Sequence, residues 1–156
     1  MRSTYRFLAS AIAVLVVIQA MAMVWAIAGL FSWIDGGATL DKSVVEGWAD
    51  EPPTFDGAIG HFVHVMSGTF LIPFLGILLL IISFFAKVPR GVVLALAVLV
   101  SIVVQYFAGF FADAGGATVG LIHGLNAFIL FGLALAASKA AKDAAAATPE
   151  TQPAAM

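Results

Sequence analysis

The sequence has no cysteine and very few charged residues. The lack of cysteine over 156 residues excludes disulfides and thiolate metal sites. Only 10% of the residues are charged and 62% are hydrophobic, which is too apolar for a soluble domain of this size. The formal net charge is -2, with no basic excess of the kind that binds nucleic acid. The composition therefore predicts a lipid bilayer as the environment of the chain and no nucleic-acid partner.

Long apolar runs fill most of the chain. A helix that crosses a bilayer needs about 20 mainly apolar residues. Four segments meet this requirement, and they are predicted as transmembrane helices over residues 7–31, 58–86, 91–112 and 118–138. A cleaved signal peptide is the alternative for the first segment, but signal sequences have apolar regions of only about 7–15 residues. The pattern favours a retained helix and an all-α integral membrane protein.

The longest connection, residues 32–57, is acidic. Lys42 is its only base, against six acids: Asp35, Asp41, Glu46, Asp50, Glu51 and Asp56. Asp41 is predicted to cap a short helix, and Trp33 and Trp48 are predicted to anchor the loop at the membrane surface. At the other end of the chain, the Ala-rich residues 141–156 are predicted to form a disordered cytoplasmic tail after a bundle over residues 1–140.

Basic residues predict the orientation in the membrane. Short connections make neighbouring helices antiparallel, so six of the seven bases fall on one side: Arg2, Arg6, Lys87, Arg90, Lys139 and Lys142. Bases concentrate on the cytoplasmic side of membrane proteins. The sequence thus predicts an antiparallel four-helix bundle with both termini in the cytoplasm, in a bacterial inner membrane.

Each span carries small and polar residues at helical spacing, which predict its packing face. For the first span these are Gln19, Ala22, Ala26 and Gly29, and for the second His61, His64, Gly68, Leu71 and Leu75. Pro73 lies near the middle of the second span and predicts a kink, because proline removes a backbone donor.

The three histidines are the main candidates for function, because ionisable groups are costly inside a membrane. His64 in the second span and His123 in the fourth lie at similar depth from the outer face, on helices that run parallel in such a bundle. Imidazoles on facing helices are common ligands of haem and metal ions. The pattern predicts one b-type haem held between His64 and His123. Gly68 and Gly120 are predicted to leave room for the macrocycle.

Further polar residues are candidates for supporting this site. Gln105 in the third span and Asn126 in the fourth are predicted to stabilise it. His61 lies about 4.5 Å closer to the outer face than His64 and is predicted to contact the haem propionates.

Other roles for these residues are open. The glutamines and histidines fit interhelical hydrogen bonding without a cofactor, and His61, His64 and His123 fit an outer-face metal site. No nucleophile and base are paired in the sequence, and its carboxylates cluster in a loop, so enzymatic activity is not the favoured interpretation. The spans hold no carboxylate or arginine that would indicate a transport pathway.

Two resemblances accompany these residues. The run Gly120-Leu-Ile-His-Gly-Leu-Asn-Ala-Phe, with Gln105 and His64, resembles a domain-of-unknown-function family of small bacterial four-helix membrane proteins. The arrangement is also similar to one half of haem A synthase, whose four-helix units carry haem-facing histidines on their second and fourth helices. That resemblance implies His64 and His123 as haem ligands.

The chain also departs from haem A synthase. His61 and Val65 stand where that family has a glutamate and an arginine, and the cysteine pair of its outer loop is absent. The resemblance therefore implies haem binding without haem hydroxylation. The favoured function is electron transfer or haem handling with a membrane redox or assembly partner. The alternative is a cofactor-free accessory subunit of a larger membrane complex.

Overall fold

A computed structural model describes residues 1–147, except for the side chains of residues 113–115, and these residues form helices without any strand. The elements in chain order are α1 (Arg2–Asp35), α2 (Lys42–Gly47), α3 (Ala58–Met66), a π-helical turn (Ser67–Leu71), α4 (Ile72–Ala86), α5 (Gly91–Phe110) and α6 (Ala112–Ala146). Four stretches are long and apolar enough to cross a membrane: Arg2–Asp35, Ala58–Ala86, Gly91–Phe110 and Gly116–Ala146. The predicted fold class, an all-α protein with four membrane-spanning helices, is confirmed.

Helix ends differ in places from the predicted spans. The turn after α5 lies at Phe111, and a second break occurs at Gly116, whose φ of 66° favours glycine. α6 continues to Ala146, so residues 141–146 of the predicted disordered tail are helical. The rest of that predicted tail, residues 148–156, lies outside the described residues.

The chain divides into two compact units. The first comprises residues 1–16 and 71–147. Its core is apolar and combines residues from α1, α4, α5 and α6, with Tyr5, Ile12, Leu79, Val98 and Leu130 as the largest fully buried side chains. Polar contacts fix the ends of these helices: the Tyr5 hydroxyl donates to the Gly91 carbonyl over 2.9 Å, and the Ser10 and Ser138 hydroxyls are 2.8 Å apart.

The second unit comprises Val17–Phe70. In this unit the backbone of α1 closely approaches α3 and the residues just before it, at two glycines. Gly60 of α3 lies against the backbone carbonyl of Ala22 in α1, and Gly29 of α1 lies against the carbonyl of Asp56. Small residues allow backbones in membranes to approach in this way. The buried residues Gln19, Ala22 and Ala26 confirm the predicted packing face of the first span.

The connection in this unit has the predicted short helix. The Asp41 carboxylate accepts a hydrogen bond from the Val44 amide over 3.0 Å and caps α2, as expected. Hydrogen bonds from the Ser43 hydroxyl and from this amide hold the pKa of Asp41 below its usual value. Trp33 and Trp48 both contact the Phe55 ring, with centroid distances of 6.2 and 6.0 Å. The two tryptophans therefore belong to one aromatic cluster.

A π-helical turn shifts the packing face of the second span from residue 72 onward. Pro73 cannot donate a hydrogen bond to the carbonyl of Thr69, and a π-turn immediately before it changes the hydrogen-bond pattern there. The extra residue in this turn rotates the following helix out of phase. After the turn, the buried positions are consequently Ile72, Gly76, Leu79, Ser83 and Ala86, whereas Gly60 is the buried position before it. The predicted face was wrong at His61 and Leu71, which are exposed.

Candidate functional site

His64 is held by the backbone of the preceding span. Its Nδ1 lies 3.1 Å from the Gln19 carbonyl oxygen, and the side chain is partly buried. A carbonyl oxygen can only accept, so Nδ1 carries the hydrogen of this bond. In a neutral imidazole, Nε2 is then the nitrogen whose lone pair can accept a hydrogen bond or bind a metal. This is the tautomer and the type of second bond that metal-ligating histidines commonly have.

The Gln19 side chain completes this contact. Its Nε2 donates to the His64 carbonyl over 3.0 Å and to the Ser67 hydroxyl over 2.8 Å. Gln19 is only 9% exposed, and its Oε1 is buried without a hydrogen-bond partner among the described residues. The two helices are thus joined through both the backbone and the side chain of one glutamine.

His123 is held in the same way in the other unit. Its Nδ1 lies 3.1 Å from the Gln105 carbonyl oxygen of α5, so Nδ1 is again the donor and Nε2 has the lone pair of the neutral ring. Gly109, one turn after Gln105, makes room for this imidazole. A Cβ at that position would lie 3.1 Å from Cε1 and 3.2 Å from Nδ1 of His123.

Asn126 links α6 to α5 one turn after His123. Its Nδ2 donates to the Ser101 carbonyl over 2.9 Å and to the Gln105 Oε1 over 2.7 Å. The Ser101 hydroxyl donates to the Asn126 Oδ1 over 3.0 Å. Asn126 and Ser101 are 7% and 5% exposed, so this network replaces water as the partner of buried polar groups.

The two helix pairs share one arrangement, which we call the histidine clasp. In each, a histidine Nδ1 donates to the backbone carbonyl of a glutamine in the preceding span, and a polar residue three positions after the histidine bonds the glutamine side chain. The members are Gln19, His64 and Ser67 in one clasp and Gln105, His123 and Asn126 in the other. The same geometry therefore positions both histidines that the sequence analysis selected.

The remaining predicted site residues differ in their surroundings. Gln105 and Asn126 bond each other beside His123, whereas His61 is exposed. The prediction that Gly68 leaves room for a macrocycle was wrong. The Gln19 side chain occupies the space beside it, and a Cβ at Gly68 would lie 3.2 Å from the Gln19 Nε2. A Cβ at Gly120 would meet nothing within 4 Å, so space remains beside α6 at that position.

A site for a bare metal ion gains no support. Among the residues whose side chains are described, no three histidine, aspartate or glutamate residues are grouped so that they could hold a metal ion. Haem differs in that its porphyrin supplies four ligands, so that two imidazoles are sufficient.

Ser67 and Gly109 were not predicted as site residues. The signal for Ser67 is its spacing from His64, which equals the spacing of Asn126 from His123. Comparing the spans in pairs would have revealed this repeat, since each odd-numbered span contains one glutamine and each even-numbered span has a histidine with a polar residue three positions later. No comparable signal marks Gly109.

Replacing Asn126 with leucine is expected to lower the free energy of unfolding by about 1–2 kcal/mol, because the buried groups of Ser101 and Gln105 lose their partner. The measurement is an SDS titration in mixed micelles followed by far-UV circular dichroism. Ser83→Ala is the matched control, since the Ser83 hydroxyl is also buried but, within the part of the chain that the structure describes, bonds only the Leu80 carbonyl of its own helix. Equal destabilisation by the two substitutions would contradict an interhelical role for Asn126.

Comparison of the chain with protein-family models, with curated proteins and with solved structures finds no match.

Proposed function

We propose that this protein is a small membrane haemoprotein, in which His64 and His123 would hold one b-type haem. The observation that carries the proposal is the Nδ1 hydrogen bond of each histidine to a glutamine carbonyl, 3.1 Å long in both clasps. This bond fixes the tautomer in which Nε2 has the lone pair for the iron and limits rotation of the ring. The donor set of two neutral imidazoles fits a b-type haem.

The protein's own residues would orient the ligands and keep their Nδ1 atoms protonated. The bound haem would supply one-electron chemistry. Because a carbonyl oxygen can only accept, each clasp keeps Nδ1 as the donor and leaves Nε2 as the nitrogen that would meet the iron. The chain would accordingly pass electrons or hold haem for a membrane partner, without catalysing a reaction on a substrate of its own.

The orientation of the chain forms part of the proposal. Contacts of Tyr5 with Gly91 and of Arg2 with the Ala144 carbonyl join the first turns of α1 to the first turn of α5 and to the last turn of α6. Arg2, Arg6, Arg90 and Lys142 lie in or beside these turns. Such a concentration of bases supports cytoplasmic termini in a bacterial inner membrane.

The polar contacts also favour a second candidate function. Gln19, Ser67, Ser101 and Asn126 bond their neighbours within a helix pair, as residues that only join membrane helices do. On this account the protein is a cofactor-free accessory subunit of a larger membrane complex, which it contacts through its spans or its acidic connection. Its histidines would then have a structural role.

An absorption spectrum distinguishes the two functions. The full-length protein is expressed with ample haem supply and purified in detergent. The haem proposal predicts a Soret band and about one haem per chain by the pyridine haemochromogen assay. A colourless protein with the helix content of the folded chain would overturn the haem proposal and favour the accessory subunit.

A further inference from the structure

A groove lies between the first turns of α1 and the last turns of α6, in the first unit. Its volume is about 340 Å³, at the small end of the range of roughly 300–1,000 Å³ for ligand pockets. The lining combines two arginines, two serines and a phenylalanine of α1 with two alanines of α6: Arg2, Ser3, Arg6, Phe7, Ser10, Ala141 and Ala145. Neither histidine clasp contributes to it.

The charge of this groove is positive. Arg2 and Arg6 are one helical turn apart, so their guanidinium groups extend from the same side of α1. The Arg2 Nη1 donates to the Ala144 carbonyl over 3.3 Å, which holds this side chain against α6. Asp143 is the acid of α6 in this region, and its carboxylate lies 2.6 Å from the Lys139 Nζ. Its charge is therefore compensated by Lys139, on its own helix.

The chemistry of the groove matches a phosphate group joined to an apolar chain. Arginine binds phosphate oxygens through two parallel hydrogen bonds, and the Ser3 hydroxyl adds a further donor. Phe7 is 69% exposed and follows Arg6 towards the apolar part of α1. Ala141 and Ala145 lie one turn apart on the opposite side of the groove, where their small side chains leave space for a ligand.

We propose that this groove binds the headgroup of an anionic phospholipid, with the phosphate on Arg2 and Arg6 and an acyl chain beside Phe7. The position of the arginines at the end of a membrane-spanning helix favours a lipid over a free phosphate ion, because lipid headgroups are concentrated at that depth. The site is separate from haem binding, so its test does not depend on the cofactor.

Native mass spectrometry of the detergent-purified full-length protein tests the proposal. The protein is titrated with phosphatidylglycerol or with phosphatidylcholine of the same acyl chains. The wild type is expected to bind phosphatidylglycerol about tenfold more tightly, and the double variant Arg2→Gln/Arg6→Gln is expected to lose this preference. Far-UV circular dichroism establishes that each variant used in the comparison is folded.

The matched control is Lys87→Asn/Arg90→Asn, which removes two positive charges from the connection between α4 and α5 but none from the groove. Both positions have positive φ, of 51° and 58°, which asparagine tolerates. The proposal predicts that this variant retains the preference for phosphatidylglycerol. Equal loss in both double variants would overturn it in favour of general charge attraction. Displacement of the lipid by an equimolar amount of inorganic phosphate would overturn it in favour of a free-anion site.

Discussion

Alanine at either His64 or His123 is expected to abolish the Soret band of the haem-loaded protein, at unchanged helix content. Each substitution removes one axial ligand, and a b-type haem has no covalent bond that would retain it. Neither substitution removes a large buried apolar side chain, since both histidines are only partly buried. The measurement is the absorption spectrum of each variant, purified in parallel with the wild type and normalised to protein concentration.

His61→Ala is the matched control for this experiment. His61 precedes His64 by three residues on the same helix, but it is exposed and belongs to neither clasp. We expect this variant to keep the Soret band, with a change in intensity at most if His61 contacts the propionates. A band that persists in both His64→Ala and His123→Ala would exclude the proposed ligands.

Alanine at Gly60 is expected to destabilise the second unit and to lower haem content with it. The added Cβ would overlap the Ala22 carbonyl oxygen and would lie 3.2 Å from the Ala22 carbonyl carbon and 3.3 Å from the Ala26 nitrogen. These are backbone atoms, so α1 and α3 must separate. Overpacking of this kind costs about 1–3 kcal/mol. His64 lies one turn further along α3, so the separation would also lengthen its bond to the Gln19 carbonyl.

The measurements for Gly60→Ala are an SDS unfolding titration and the haem content of the same preparation. Gly124→Ala is the control, because this glycine is next to His123 but a Cβ there would meet nothing within 4 Å. We expect no loss of stability for the control, since alanine favours a helix by about 0.8–1 kcal/mol over glycine. If Gly60→Ala were as stable as the control, the close approach of α1 and α3 would not be required for folding.

The helices could be predicted from the sequence because their signal is local. Apolar runs of the required length mark all four spans, and Asp41 marks the start of α2 through its own side chain. The rotation of a helix about its axis is harder to predict from the sequence. In the second span Pro73 predicts an irregularity, but the hydrogen-bond pattern does not follow from the sequence. The π-turn changed which residues after it are buried, and His61, which precedes the turn, was separately assigned to the wrong face.

The candidate site could be predicted in its residue types but not in its contacts. An imidazole inside an apolar span needs a partner, which selects His64 and His123 without any structure. The partner of each is a backbone carbonyl, a group that every residue of the chain has. Which carbonyl accepts the bond depends on the rotation and depth of each helix. The same two quantities determine that the His123 imidazole packs against Gly109.

The most direct test of haem ligation by His64 and His123 is the low-temperature electron paramagnetic resonance spectrum of the ferric full-length protein. Two imidazole ligands give a strong axial field, so we predict a low-spin ferric signal that accounts for the bound haem. The same sample of His64→Ala or His123→Ala, with haem added back, should lack that signal. A high-spin signal from the wild type, or a folded wild-type protein without any haem signal, would contradict the account.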